Sequence, residues 1–384
     1  MVMPSVLSLV LAAWAGAAHA AEPLDPASPQ PVVLDVTRGL VFSNAELVSM
    51  GGAGAAFAYG GIGLLLSPAA PANRRMEAVA PMVGSLVLLQ SRITNEREMS
   101  VGEPVVDVVR VFNLGLSYGY RAGAGGILAA GAYYKVSDTQ VAVAEGHVSA
   151  AVALWDGRLS LGVGPRLLGM RVTSGGEHHD YLGSGVEAGA VLTNWQEAWS
   201  FALTVRSGVS AGPMAGGYEG IDAAHLPPEL IAGVGWSNVS YLPEDSGVPV
   251  RFAADVVVDA PVQGAVALEN VLQGQLVTRG GWYTASPRVG AEVDVWRNRL
   301  RLRAGSYLEP SRTALAGPRP HATGGFELRL FRIKALKERI KLDLAWQIGV
   351  DYAPGYFHGA WLGINVWQHG QMGGQSAPPK VEVF

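Results

Sequence analysis

The chain has 384 residues, no cysteine, a formal net charge of −4 and 16% charged residues, against about 25% in average soluble domains. Without cysteine there is neither disulfide stapling nor thiolate chemistry, and so mild a charge, with no basic cluster interleaved by aromatics, points away from nucleic acid. Glycine supplies 50 residues, roughly twice the usual share, and mean hydropathy is positive, yet past the leader no run of about 18 apolar residues exists to make a spanning helix.

Val6 to Ala18 is an apolar, small-residue core that runs into Ala18-His19-Ala20, an A-x-A site. Residues 1–20 therefore read as a secretory signal, cleaved before Ala21. Met1 to Ser5 lacks Lys and Arg; the alternative is a retained anchor helix, disfavoured because the apolar core is shorter than a membrane span. Residues 21–31 hold four prolines and two acids and form an extended entry segment. Val32 to Phe42 is either one short strand or irregular. Asn44 to Ala58 opens with a short helix, with Ser43 or Asn44 as N-cap and Glu46 in the first turn. Glycines at 51, 52, 54, 60, 61 and 63 argue against a long helix and permit close backbone packing. A glycine-rich linker would not carry Phe57, Leu64, Leu65 and Leu66. Residues 21–75 thus read as an extension followed by a compact plug.

From about Met76 the chain alternates. Ile340, Leu342, Leu344, Trp346, Ile348, Val350 and Tyr352 share one strand face, and Lys341, Asp343, Gln347 and Asp351 share the other with period two. Phe112, Leu114, Leu116, Tyr118 and Tyr120 repeat the pattern, as do Phe201, Leu203 and Val205, and Leu300 and Leu302 between Arg299, Arg301 and Arg303. An apolar chain without long apolar runs spreads its hydrophobicity by alternation, as a transmembrane barrel requires. Aromatics at strand ends (Tyr118, Tyr120, Tyr133, Tyr134, Tyr241, Tyr352, Tyr356, Trp367) suit an interfacial girdle; a soluble β-sandwich is the other reading. About fourteen runs are separated by turn signals, at 76–92, 107–120, 124–137, 141–155, 157–173, 180–193, 198–208, 229–241, 250–260, 281–295, 298–309, 321–335, 338–352 and 356–368. The predicted fold is all-β: an antiparallel transmembrane barrel over 76–368 with an N-terminal hatch in its lumen.

Asp156-Gly157 and Arg297-Asn298 predict tight turns, while Arg92 to Glu103, Gly208 to Pro228 and Pro261 to Gly280 predict long outer loops. Gly212 to Tyr218 reads as a mobile loop by composition. The tail, 369–384, is polar. Phe384 is placed like an outer-membrane assembly signal, but Lys380 and Glu382 stand where apolar residues belong, so Phe384 is expected outside the barrel.

Met50-Gly51-Gly52-Ala53-Gly54-Ala55-Ala56-Phe57-Ala58 and Ser67-Pro68-Ala69 resemble the hatch of the FadL-like outer-membrane transporters of hydrophobic compounds, whose pattern is M-G-G-A-x-x-A-x-A, a gap, then N-P-A. Ser67 departs from the family's Asn. Arg301 to Ser311 resembles that family's L-R-x-G-x-x-Y-x-x-S strand. The resemblance implies a fourteen-stranded barrel, passive uptake of hydrophobic small molecules such as long-chain fatty acids or hydrocarbons, and a hatch that gates it. Phe57, Leu64, Leu65 and Leu66 would then touch ligand, and Ser67-Pro68-Ala69 would set the hatch turn. Arg74 and Arg75 either meet a ligand carboxylate or pair with lumen acids such as Glu292, Asp294, Asp343 or Asp351, the latter preferred. Arg299, Arg301 and Arg303 are expected in an ion network that anchors the hatch. The expected partners are a hydrophobic ligand, outer-membrane lipid and lipopolysaccharide, and the barrel-assembly machinery.

Two G-x-S-x-G matches, at Gly115 to Gly119 and Gly208 to Gly212, lack the strand-turn-helix of a nucleophile elbow. Glu177-His178-His179-Asp180 reads as a solvated turn rather than a metal site. No P-loop, H-E-x-x-H or dinucleotide fingerprint is present, so neither an enzyme nor a cofactor is expected. The rival function is a barrel that docks or shuttles other proteins, for which the apolar Pro261 to Gly280 segment (Val266, Ala267, Leu268, Val271, Leu272, Leu276, Val277) would be the contact.

Overall fold

The computed structural model describes residues 32–37, 43–73, 82–96, 110–120, 122–136, 139–194, 198–218, 221–238, 248–268, 278–296, 299–312, 317–335, 340–354 and 357–370. Strand β1 (Val32–Asp35) is followed by helix α1 (Ala45–Ser49) and two 3₁₀ turns, Ala55–Phe57 and Ile62–Leu65. Asn44 caps α1 by accepting the Leu47 N–H at 2.7 Å, and Glu46 lies in the first turn, as the sequence predicts. The helix stops after five residues because Gly51 and Gly52 take φ of 65° and 71°, where only glycine is unstrained.

The rest is β: β2 (Met82–Glu96), β3 (Arg110–Tyr120), β4 (Gly123–Val136), β5 (Thr139–Leu154), β6 (Leu159–Ser174), β7 (Glu177–Thr193), β8 (Trp199–Arg206), β9 (Val209–Pro213), β10 (Ile221–Leu226), β11 (Glu229–Ser237), β12 (Val250–Asp259), β13 (Ala265–Ala267), β14 (Thr284–Trp296), β15 (Leu300–Glu309), β16 (Arg319–Ala335), β17 (Ile340–Ala353) and β18 (Phe357–Gly370). Strands β2 to β8 pair in succession. Then β8 pairs with β11, β11 with β12 and β12 with β14. Strands β14 to β18 again pair in succession, and β18 pairs with β2. All these ladders are antiparallel.

Every predicted run overlaps one of these strands. The first differs most: it was placed at 76–92 and runs from Met82 to Glu96. Of four short strands, β1 realises the strand alternative for Val32 to Phe42, and β9, β10 and β13 were not predicted. Strand β1 lies parallel to β10 and β13, and β10 pairs with β9. Three of the four lie within segments expected to be long loops, because each is only three to six residues long and carries too little alternation to register. Gly212, assigned to a mobile loop, belongs to β9. Glu177 to Asp180 begins β7 and is not a turn; the turn is Gly175-Gly176. The last strand runs to Gly370, two residues past the expected end. Residues 1–31 and 371–384 lie outside the described residues.

Side-chain polarity is inverted relative to a soluble sheet. Leu114, Leu116 and Tyr118 on β3, Phe201, Leu203 and Val205 on β8, Leu302 on β15, and Trp346, Val350 and Tyr352 on β17 are exposed. Their strand neighbours Ser117, Ser200, Thr204, Arg206, Arg301, Arg303, Gln347 and Asp351 are buried. Trp155, Trp199 and Trp296, all exposed, stand at strand ends, where the expected girdle included only tyrosines and Trp367. Among the described residues no helix is long and apolar enough to cross a membrane.

Candidate functional site

Residues 43–73 pack against the buried, charge-bearing face of the sheet. The contact is made by glycine on both sides. Gly290 and Gly305 are cross-strand partners, and a Cβ on either would collide with the Met50 backbone. Gly325 and Gly349 are also partners and face Ser49 and Ala45. Gly162 and Gly189 form a third pair, facing Pro68 and Ser67. Each pair leaves a shallow groove into which the segment's backbone settles. These six glycines serve close approach rather than flexibility.

Charged side chains fix the same segment. Glu46 on α1 accepts the Tyr59 hydroxyl at 3.1 and 3.0 Å and lies 3.6 Å from Arg303. Arg303 also pairs with Glu292 at 2.7 Å and Glu327 at 2.8 Å. Arg301 joins through Glu327 at 4.0 Å and also pairs with Asp294 at 3.4 Å. Arg299, expected in this network, is outside it: it sits at the exposed strand end with its guanidinium 5.7 Å from the Trp296 ring. Further round the sheet, Arg206 donates to the carbonyls of Leu64 and Leu65, both at 2.9 Å. Asp255 accepts from the N–H groups of Gly54 and Ala55 at 2.7 and 2.9 Å. Sequence reading missed Arg206 and Asp255, although alternation alone puts both on the polar face of their strands.

Of the predicted contact residues, Phe57 lines a cavity of about 80 Å³. A single water needs roughly 10–15 Å³ by this measure, so there is room for a small organic molecule. Leu47, Met50, Ala53, Ala56 and Ile62 supply apolar wall, and Glu46, Tyr59, Asn73, Arg251 and Glu292 supply polar wall. Arg251 lies 5.9 Å from the Phe57 ring centroid and 3.0 Å from Glu292. Leu64, Leu65 and Leu66 are not in this wall. Leu64 packs on Leu128 and Ile62, Leu66 packs with Leu47, Ala55 and Val191, and Leu65 reaches both groups. The periodicity of such a short apolar run cannot separate anchor from lining. Ser67 is fully buried and its Oγ accepts the Ala69 N–H at 3.2 Å. That bond closes the turn with a hydroxyl as an Asn side chain would with its amide oxygen. Arg74 and Arg75 lie outside the described residues. Three of their four suggested acids have other partners, Glu292 and Asp294 as above, and Asp351 with the Tyr307 hydroxyl at 2.7 Å and His321 at 2.8 Å; the side chain of the fourth, Asp343, lies outside what the structure describes.

A second apolar region gathers where β1 meets the loop strands. Leu34, Val141, Leu168, Val172, Tyr181, Val209, Ile221, Val266 and Leu268 form one buried cluster. Val266, Ala267 and Leu268 are therefore not displayed for a protein partner, as the docking reading required. Asp35 ties β1 there, accepting from Arg312 Nε at 2.7 Å with Arg279 at 3.6 Å. Burial alone would raise the Asp35 carboxyl, but Arg279 and Arg312 outweigh it and hold it below its ordinary range. Ser117 is a mid-strand residue of β3, and Ser210 lies in β9; neither stands on an elbow.

No family model matches the sequence, and no curated protein does. Solved structures do. A monoaromatic hydrocarbon channel, CymD, is 15% identical, with a TM-score of 0.53 over 87% of this chain and 99% of that one. A FadL homologue from Pseudomonas aeruginosa is 11% identical, with a TM-score of 0.53 over 85% and 98%. A mutant of the TodX monoaromatic hydrocarbon channel is 11% identical, with a TM-score of 0.50 over 86% and 99%. The chain is similar to these across nearly their whole length.

Proposed function

We propose that this chain, which has the fold of the FadL-like hydrocarbon channels, is an outer-membrane barrel of about fourteen strands through which hydrophobic small molecules diffuse inward past an N-terminal hatch. One observation carries the reading: a sheet whose pairings return to their starting strand turns its apolar side chains outward and its buried charges toward residues 43–73. In water that arrangement would expose a wide apolar surface. In a bilayer it satisfies every backbone group and faces lipid with hydrocarbon. The signal over 1–20 would deliver the chain, the barrel-assembly machinery would insert it, and lipopolysaccharide would surround its outer rim. Ligand would pass beside the hatch into the space lined by Phe57, while Leu64, Leu65 and Leu66 with Ser67-Pro68-Ala69 would hold the other half of the hatch against the wall. Arg74 and Arg75 follow the hatch in sequence and would pair with lumen acids or, in the alternative, meet the carboxylate of an acidic ligand. Flux follows the gradient and no cofactor is required.

The test is uptake of a labelled long-chain fatty acid and of labelled toluene by cells with and without the protein, paired with heat-modifiable gel migration. Protein-dependent uptake of either supports the channel. A heat-modifiable barrel that moves neither overturns it. Phe57→Trp, which enlarges a ring already packed against Gly235, should slow uptake several-fold; an unchanged rate removes Phe57 from the path.

A further inference from the structure

Three charged wall residues reach the hatch backbone directly, and they are not equally braced. Arg206 has its Nε on Glu187 at 3.0 Å and Nη1 on Glu229 at 2.6 Å. Both acids are its cross-strand partners. Its remaining nitrogen, Nη2, holds the Leu64 and Leu65 carbonyls. This guanidinium is fixed whether or not the hatch is present. Asp255 is 3% exposed. Its Oδ2 takes both hatch N–H groups, and its buried Oδ1 has no hydrogen-bond partner among the described residues. Arg288, directly opposite on β14, donates to the Gly52 carbonyl at 3.4 Å and forms no ion pair with Asp255 among the described residues. Every hydrogen bond to Asp255 among the described residues therefore comes from two backbone donors that belong to the hatch itself, with Arg288 opposite as the neighbouring cation. The cavity lies mainly against this half, being lined by Met50, Ala53, Gly54, Ala56, Phe57 and Ala58, and it meets the other half at Ile62 and Gly63.

We infer that Asp255 and Arg206 are positioning residues that divide the hatch: the half from Met50 to Ala58 is latched by Asp255 and opens, while the half from Ile62 to Ala70 is held by Arg206 and stays. Opening at the Asp255 latch widens a cavity that already exists, so a ligand need not displace the whole segment. The inference rests on the reading of residues 43–73 as a gate. It adds which half moves and which wall residue releases it.

The chain has no cysteine, so single reporters can be placed cleanly. Ala56→Cys and Leu66→Cys, both at buried positions, are labelled by a water-soluble maleimide in full-length protein in proteoliposomes. Asp255→Asn in each background should raise the labelling rate at position 56 by about tenfold or more, the effect of losing charge-assisted hydrogen bonds, and leave position 66 within about twofold. No change at position 56, or an equal rise at both, overturns the inference. Should Asp255→Asn lose heat-modifiable migration, amide exchange of the native protein decides. Faster exchange over 50–58 than over 62–70 supports the divided hatch, and equal or reversed exchange overturns it. Flux of labelled toluene and oleate is measured on the same vesicles. Labelling that moves as expected without flux leaves the latch standing and removes the channel; flux with unmoved labelling removes the latch alone.

Discussion

Arg303 meets three carboxylates, those of Glu46, Glu292 and Glu327, at 3.6, 2.7 and 2.8 Å, and it is almost fully buried. Taking out one member of a buried ion cluster leaves its partners uncompensated, a loss of about 3–5 kcal/mol. Glu292 retains Arg251, and Glu327 retains the Gln347 amide at 2.8 Å, so the lower end of that range is expected for Arg303→Met. Thermal unfolding in detergent reads it as a lower midpoint; an unchanged midpoint would show the network to be dispensable. Asp35 gives a pH-dependent counterpart outside the spanning strands. Its folded-state carboxyl is lower than its ordinary value of 3.8. Its contribution is complete above that value and is lost as pH falls through the lower folded value. Scanning calorimetry of the native protein and Asp35→Asn should show the variant less stable at neutral pH. The gap should close as the pH is lowered below about 4. A gap that stays constant would mean that the Asp35 carboxyl binds protons equally in the folded and unfolded chain, so that Arg279 and Arg312 do not hold it below its ordinary value.

At the scale of elements, the sheet and the segment packed on it were shaped for each other by glycine. Gly290 and Gly305 leave a groove for Met50 and Gly51, and Gly51 itself abuts the Ser306 backbone. A side chain at Gly305 has backbone, not a flexible tip, to displace, so Gly305→Val must push residues 50–51 off the wall or distort β15. Limited proteolysis should then cut within 43–58 at least several-fold faster than in the native protein, with the strand ladder retained. A variant as resistant as the native protein would mean the groove is not needed. Alternation revealed the strands and the small-residue run revealed the enclosed segment. That both carry glycine at the same points was not legible, because the pairing joins residues more than two hundred positions apart. The short strands β9, β10 and β13 escaped for a related reason: each gains its partner only in the assembled molecule.

For the molecule as a whole, the outward face decides between lipid and water. Leu203 is 51% exposed in the middle of β8. Arginine on the lipid face of a barrel costs about 2–4 kcal/mol at the bilayer midplane, whereas an exposed surface substitution in water usually stays within about 0.5 kcal/mol. Leu203→Arg should therefore reduce the heat-modifiable form recovered from the outer membrane and lower unfolding stability in lipid vesicles. Full recovery and unchanged stability would favour a soluble sheet. The long strands, their two faces, an N-cap at Ser43 or Asn44 and the small-residue segment were determined by the sequence itself, because period-two alternation and capping are local. Which partner each polar residue meets was decided only by the tertiary structure. Arg206 and Asp255 look alike in sequence, one charge among alternating apolar residues, whereas Arg303 closes the Arg299-Leu300-Arg301-Leu302-Arg303 run already expected to anchor the segment. Register and the approach of residues 43–73 put the first on two carbonyls, the second on two amides and the third among carboxylates. Likewise, of Phe57, Leu64, Leu65 and Leu66, hydrophobicity ranks all four as ligand contacts, and only packing separates the ring that lines the cavity from the leucines that anchor the segment beside it.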